Sequence, residues 1–271
     1  MFRFNNKLLA TSLLMLGLMS CSNTRPNGAT TSINQQTVSY SYVPVAQRPQ
    51  PTLIFQSGLG DDKTVWQAVI QGLAQQVSTF SYDRAGYGNS AASHSERSPC
   101  QIAQEQHQLL QNAGVKPPYL LVGHSLGGLY EYVYAQLYPE EVAGLVLLDP
   151  THPQHLQRIK TDLPHIATLL STANILLSPA ARREFKAQQT CLQTLKPTLD
   201  TRITVRLLVS SQRQAFEQGA FEQLLKELAL DWQRMTHVPH IQTIASGHYI
   251  QREQPEAVIA AIHELLTIKQ K

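Results

Sequence analysis

Residues 123–128 read Gly-His-Ser-Leu-Gly-Gly and directly follow a short apolar run. That run, Tyr119 to Val122, predicts a buried strand, and apolar residues recurring at helical spacing up to Pro139 predict a helix after the motif. A Gly-x-Ser-x-Gly pattern between a strand and a helix is typical of a sharp turn that lifts one serine above the sheet edge. Ser125 is therefore a candidate nucleophile, and the amide of Leu126 would point at an oxyanion formed there.

Length and composition limit the other possibilities. The chain has 271 residues, of which 42% are hydrophobic and 15% charged, so it can bury the core of one α/β domain. The formal net charge is only +3, and no dense basic run with interleaved aromatic residues occurs, which argues against a nucleic-acid partner. Two short-spaced histidine pairs, 152/155 and 237/240, lack a third ligand, so we predict no metal site.

Strands and helices alternate along the chain. Besides the strand before Ser125, the patterns predict an opening strand over 37–45 and further strands over 52–56, 77–82, 142–148, 203–210 and 241–245. Besides the helix after Ser125, they predict helices over 63–75, 99–113 and 255–266. This alternation implies a mostly parallel sheet with helices on both faces.

Five motifs in this order resemble the α/β-hydrolase superfamily over about residues 37–268. They are Gln56-Ser-Gly-Leu-Gly60, Asp83-Arg-Ala-Gly-Tyr-Gly88, the serine motif, Leu147-Leu-Asp-Pro150 and Ser246-Gly-His-Tyr249. The resemblance implies an α/β-hydrolase fold with a helical cap inserted at about residues 151–200. A cap rich in leucine, isoleucine and alanine would line an apolar acyl pocket or would form a packed layer that never meets substrate.

A serine nucleophile needs a histidine to accept its proton and an acid to orient that histidine. The resemblance places the histidine last in the chain, at His248. Many relatives carry the acid after the penultimate strand, where this chain has no aspartate in the turn. We therefore take Asp149 as the candidate acid, with Glu217 as the next candidate and a purely structural Asp149 as the alternative. The resemblance also nominates the backbone of Leu59 as the second oxyanion donor.

Other polar residues near these motifs receive structural interpretations. His124 is expected to pack behind the serine. Asp83 and Arg84 are expected to tie the turn that contains Gly86 and Gly88. Asp61 and Asp62 are expected to be solvated or to cap a helix.

The N-terminus predicts export. Arg3 and Lys7 precede an apolar run over 8–19 that is too short to span a bilayer and has the layout of a secretory signal. The run ends in Leu18-Met-Ser-Cys21, which resembles the lipobox of bacterial lipoproteins, where the cysteine is acylated. The alternative is a plain signal peptide that is cut nearby.

On the lipoprotein interpretation, residues 1–21 are the signal with its lipobox, 22–36 a polar tether and 37–271 the α/β-hydrolase domain. The protein would be exported and anchored in a membrane, and the serine that follows Cys21 would suit the outer membrane of a Gram-negative cell. Cys100 and Cys191 would meet an oxidising compartment, where they would form a disulfide or stay as thiols.

The function implied by the resemblance is that of a cofactor-free serine hydrolase. It would cleave small-molecule carboxylic esters, with an apolar acyl group, through an acyl-enzyme intermediate. Amides, lactones and lysophospholipids are further substrate classes that the motifs allow. A serine in the turn argues against dehalogenase and epoxide hydrolase activity, which in this superfamily use aspartate there. The alternative is a non-catalytic lipoprotein that binds a ligand with the same fold.

Overall fold

A computed structural model describes residues 28–45, 50–214 and 217–268. Its eight strands are β1 Ala29–Ile33, β2 Gln36–Val43, β3 Thr52–Gln56, β4 Thr79–Tyr82, β5 Tyr119–His124, β6 Val142–Leu148, β7 Thr204–Ser210 and β8 Gln242–Ile244. They form one sheet in the order β1-β2-β4-β3-β5-β6-β7-β8. The β1–β2 and β2–β4 pairs are antiparallel and all other pairs are parallel.

Every residue of β3, β4, β5 and β6 is buried, because helices cover both faces of the sheet. The helices are α1 Gln67–Gly72, α2 Pro99–Asn112, α3 Leu126–Leu137, α4 His155–Asp162, α5 Pro164–Ala173, α6 Pro179–Ala187, α7 Ala220–Thr236, α8 Ile250–Glu253 and α9 Pro255–Ile268. One core cluster joins α2 and α3 to the sheet, and a second joins α1 and α9 to the opposite face. The predicted fold class is therefore confirmed.

The predicted cap region, residues 151–200, contains α4, α5 and α6. Ile159 and Leu163 of the cap pack against Phe221, Leu224 and Leu228 of α7 in a third apolar cluster. A disulfide between Cys100 and Cys191, with 6.3 Å between the Cα atoms, joins the start of α2 to the chain after α6. The cap is thus held to the rest of the fold both by apolar packing and by a covalent bond.

Two elements differ from the sequence-based expectation. Residues 29–33, assigned to the polar tether, form β1, which pairs with β2 from Ala29–Tyr40 to Ile33–Gln36. The hairpin is stable there because Ile33 and Val38 are buried in the core. Helix α7 was not predicted, although Phe221, Leu224 and Leu228 recur at the spacing of one helix face.

Among the described residues, no helix combines the length and hydropathy that crossing a bilayer requires. The predicted signal sequence and lipobox, including Cys21, lie outside the described residues, as do residues 22–27 of the predicted tether.

Candidate active site

Ser125 stands between β5 and α3 with φ 54° and ψ −123°, a backbone conformation that side chains rarely adopt. Small residues on either side make this turn possible. A Cβ on Gly123 would lie 2.6 Å from the carbonyl oxygen of Gly127, and a Cβ on Gly127 would lie 2.3 Å from the carbonyl oxygen of Gln56. The serine is therefore held by backbone packing on both sides of the turn.

Asp149 and His248 are brought together although 99 residues separate them. Asp149 follows β6, His248 lies between β8 and α8, and the Nδ1 of His248 lies 2.7 Å from Asp149 Oδ2. The Ser210 hydroxyl donates to the same oxygen at 2.8 Å. Burial of Asp149 would raise its pKa, but His248, Ser210 and Arg213 together hold the pKa of this carboxyl below its usual value. Asp149 is thus an anion that fixes one nitrogen of His248.

Ser125 and His248 line the same cavity. Among the described residues, the Ser125 hydroxyl forms no hydrogen bond with the His248 ring, and contacts of this kind are commonly looser without substrate. Glu217, the other candidate acid, accepts a hydrogen bond from the backbone N–H of Gln214 at 2.8 Å. The carboxylate paired with His248 is that of Asp149.

The loop after β3 lies against the serine, since a Cβ on Gly58 would be 3.3 Å from the Cβ of Ser125. Arg84 donates to the carbonyl oxygens of Ser57 at 2.6 Å and of Gly58 at 2.8 Å. In a trans peptide the C=O and the following N–H point in opposite directions. With the Gly58 carbonyl held by Arg84, the N–H of Leu59 faces away from the guanidinium.

The sequence suggested that Arg84 would help to tie the turn after β4, but all hydrogen bonds of its side chain go to residues outside that turn. Asp83 ties that turn, since it accepts a hydrogen bond from the Asn89 N–H at 3.0 Å and pairs with Lys63 at 2.6 Å. Arg84 turns inward and binds both carboxylate oxygens of Glu184, on α6 of the cap, at 3.0 Å each. An arginine two residues after the end of a buried strand was the only signal of this role. Its partner lies 100 residues away, so no local pattern reveals it.

A cavity of about 770 Å³ opens above these residues. Ser125, Asp149 and His248 line part of it, and helix α7 contributes an apolar wall that includes Phe221, Leu225, Leu228 and Trp232. Leu170 of the cap helix α5 also lines it, and the rim carries charged side chains that include Arg213, Glu217 and Lys226. The cap region therefore does meet the space in front of the serine. The volume suits a small molecule with an apolar part.

His124 lies directly behind this site and is buried. Its Nε2–H donates to the backbone carbonyl of His248 at 2.8 Å, so this side chain supports the loop that carries His248. Burial, reinforced by the nearby His248, lowers the pKa of His124 to about 3. Asp61 lies 4.0 Å from the other ring nitrogen, and burial raises the pKa of this carboxyl. Asp62, in contrast, caps the turn before α1 through the Thr64 N–H.

The sequence pattern of the family described as alpha/beta hydrolase fold matches residues 51–232, and the chain belongs to that family. The uncharacterized protein YqjL of Bacillus subtilis strain 168 is 30% identical over 215 residues, which are 79% of this chain and 83% of YqjL.

Solved structures agree on the fold. The enol-lactonase of Burkholderia xenovorans LB400 has a TM-score of 0.66 at 15% identity and covers 88% of this chain and 100% of its own. The epoxide hydrolase CorEH has a TM-score of 0.65 at 17% identity and covers 89% of this chain and 98% of its own. Because these two enzymes act on different bonds, the shared fold does not decide the reaction of this protein.

The buried His124 is expected to make the stability of the fold depend on pH. Its pKa is about 3 in the fold against 6.5 for an exposed histidine, so the unfolded chain binds the extra proton between these values. Stability is therefore lost as the pH falls below about 6.5, with a slope of about 1.4 kcal/mol per pH unit from this group. We expect His124→Gln, which keeps an N–H donor, to remove that slope in urea unfolding measured at several pH values. The exposed His94→Gln is the control, and equal slopes in all three proteins would contradict the assignment.

Proposed function

We propose that this protein is a serine hydrolase of carboxylic esters. The observation that carries the proposal is the 2.7 Å contact between His248 Nδ1 and Asp149 Oδ2, in a cavity that also contains Ser125 on its strained turn. An ionised carboxylate on one ring nitrogen holds the proton there and leaves the other nitrogen free to accept one. Such a histidine is the group that a serine nucleophile needs.

In the proposed reaction the Ser125 oxygen attacks the ester carbonyl while His248 accepts the hydroxyl proton. The amides of Leu59 and Leu126 stabilise the negative charge on the carbonyl oxygen. His248 then passes its proton to the leaving alcohol as the acyl C–O bond breaks. Water, deprotonated by the same histidine, attacks the acyl-enzyme and releases the carboxylic acid and the free serine.

The orientation of the loop after β3 supports the choice of Leu59. Arg84 holds the carbonyl of the Gly58–Leu59 peptide at 2.8 Å, so the amide of that peptide is set before substrate arrives. Among the described residues, the Leu59 and Leu126 amides donate to no backbone carbonyl, which leaves both available to an oxyanion. The mostly apolar wall formed by α7 favours esters with an apolar acyl group over small polar substrates.

A fluorophosphonate probe, which reacts with activated serines, tests the proposal directly. We expect it to label a soluble form that lacks residues 1–21, and to label Ser125→Ala not at all. Ser211→Ala is the matched control because Ser211 lines the same cavity, and its labelling should equal that of the wild type. Absence of labelling in folded wild-type protein would overturn the proposal in favour of a ligand-binding lipoprotein.

The identity of the acid is tested by isosteric substitutions. We expect Asp149→Asn to lower kcat for a soluble ester by about 10²- to 10⁴-fold with little change in KM, because His248 loses the anion that holds its tautomer. Glu217→Gln should leave both constants near the wild-type values. The reverse pattern would assign the acid to Glu217.

We further propose that the protein is exported and anchored in a membrane through acylated Cys21, in the outer membrane if the cell is Gram-negative. The signal-like residues 1–21 motivate this proposal. The disulfide between Cys100 and Cys191 supports it, because such bonds persist in oxidising compartments and are rare in the cytosol.

Metabolic labelling with an alkyne-bearing fatty acid in a bacterial host tests the anchor. We expect the full chain to incorporate the label and to sediment with membranes, since a diacylated cysteine binds a bilayer stably. Cys21→Ala should carry no label. Unlabelled wild-type protein released in soluble form would indicate a plain signal peptide instead.

A further inference from the structure

We propose that residues 164–179 of the cap, termed the apolar cap segment, dock on an anionic lipid bilayer and hold the cavity at its surface. The segment comprises α5 and the chain up to the first residue of α6. Leu169, Ile175 and Leu176 are 55%, 70% and 89% exposed. No Asp, Glu, Lys or Arg occurs between Asp162 and Arg182. Apolar side chains clustered on a surface in this way commonly mark an interaction site.

The backbone of the segment is prepared for an environment with little water. Where Ile175 and Leu176 project, the chain is not α-helical, and its carbonyl groups need donors. Arg182 supplies donors to three of them: it donates to the carbonyl oxygens of Asn174 at 3.3 Å, of Ile175 at 2.7 Å and of Leu177 at 3.2 Å. Because unpaired backbone groups are costly in lipid, this arrangement allows the two side chains to enter the interface.

Both threonine hydroxyl groups of α5 are also paired within the helix. Thr168 donates to the Pro164 carbonyl at 3.0 Å and Thr172 donates to the Thr168 carbonyl at 3.0 Å. The nearest charges in the chain are Asp162, which pairs with Arg158 at 2.6 Å, and Arg182; beyond them Lys160 and Lys186 are exposed. An apolar surface flanked by cations suits a bilayer that contains anionic phospholipids, because both the hydrophobic effect and the surface potential favour contact.

The described chain begins at the edge of the sheet that is formed by the carboxyl ends of the parallel strands, where the cap also lies. Ala29 pairs with Tyr40, which in turn pairs with Tyr82 at the carboxyl end of β4. In the turn after β4, a Cβ on Gly86 would lie 2.6 Å from the Cβ of Ala180 in α6, so the cap contacts this edge. The serine turn after β5 lies at the same edge.

Cys21 lies seven residues before Gly28, and seven residues span at most about 25 Å. The proposed acyl anchor on Cys21 would therefore keep this edge of the sheet close to the bilayer. The exposed cap segment would then lie on the side of the protein that faces the lipid headgroups, which favours a membrane over a second copy of the chain as its partner.

The segment also connects the surface to the cavity. Leu170, next to the exposed Leu169, lines the space in front of Ser125. An acyl chain that leaves the bilayer could follow apolar side chains into the cavity. This inference rests on the proposed esterase function and specifies its substrate class. The substrates would be single-chain lipid esters that reside in a membrane, such as lysophospholipids or monoacylglycerols.

Flotation with vesicles tests the docking surface. The probe is phosphatidylcholine vesicles that contain phosphatidylglycerol, and the protein is an unacylated form that lacks residues 1–21. We expect wild-type protein to float with the vesicles, and the double variant Ile175→Ser, Leu176→Ser to bind more than about tenfold more weakly. Both substitutions lie on the surface, so the fold should persist. Leu230→Ser, which replaces a 60% exposed leucine of α7 outside the segment, is the matched control.

Two activity measurements separate docking from hydrolysis. The double variant should hydrolyse a soluble acetyl ester at the wild-type rate but should hydrolyse monoacylglycerol in the vesicles more slowly. Equal flotation of wild type and both variants would overturn the docking surface, whatever the esterase result. Flotation that depends on Ile175 and Leu176, without hydrolysis of any ester, would keep the surface and reject the esterase function. A change from dimer to monomer in the double variant, with unchanged flotation, would assign the segment to contacts between copies.

Discussion

The buried guanidinium of Arg84 joins the sheet, the loop after β3 and the cap. Removing an ion from water costs several kcal/mol, so a buried arginine persists only when its charge and its donors are matched. Here all five N–H groups have acceptors: both oxygens of Glu184, the side chain of Gln56 and the carbonyls of Ser57 and Gly58. Burial would raise the pKa of Glu184, but the surrounding arginines hold this pKa below its usual value. The loop beside Ser125 and helix α6 therefore keep one relative position.

The candidate active site combines two strained turns that support each other. Ser125 and Asp149 both have positive φ, at 54° and 43°, which costs on the order of 1–3 kcal/mol each for residues with side chains. The Ser125 N–H donates to the Leu148 carbonyl and the Thr151 N–H donates to the Ser125 carbonyl, both at 2.9 Å. These bonds connect the end of β6 to the turn after β5, so neither turn can relax alone. The strain is maintained because the two central strands are fully buried.

One side of the cavity is lined by polar side chains and the other mainly by apolar ones. On one side, carboxylate and imidazole groups form a polar floor, and a buried histidine, His152, pairs with Asp231 at 3.1 Å. Burial lowers the pKa of His152 to about 4, so its imidazole is neutral near pH 7. On the other side, α5 and α7 present mainly apolar side chains. A substrate with a reactive polar group and an apolar tail would find a matching environment for each part, and the tail would point toward the exposed apolar surface of the cap.

The sequence by itself determined most of the strands and helices and the serine turn, because these depend on local periodicity and on short motifs, and its resemblance to the superfamily nominated Asp149 and His248. Local patterns failed where a partner lies far away in the chain. The β1 strand looked like a polar tether because most of its stabilising contacts come from β2, and the inward role of Arg84 depends on Glu184 of the cap. Of the two candidate acids, the folded chain places Asp149 beside His248. The fold also brings Cys100 and Cys191 together in a disulfide. Distances between remote residues follow from packing, which a linear pattern does not contain.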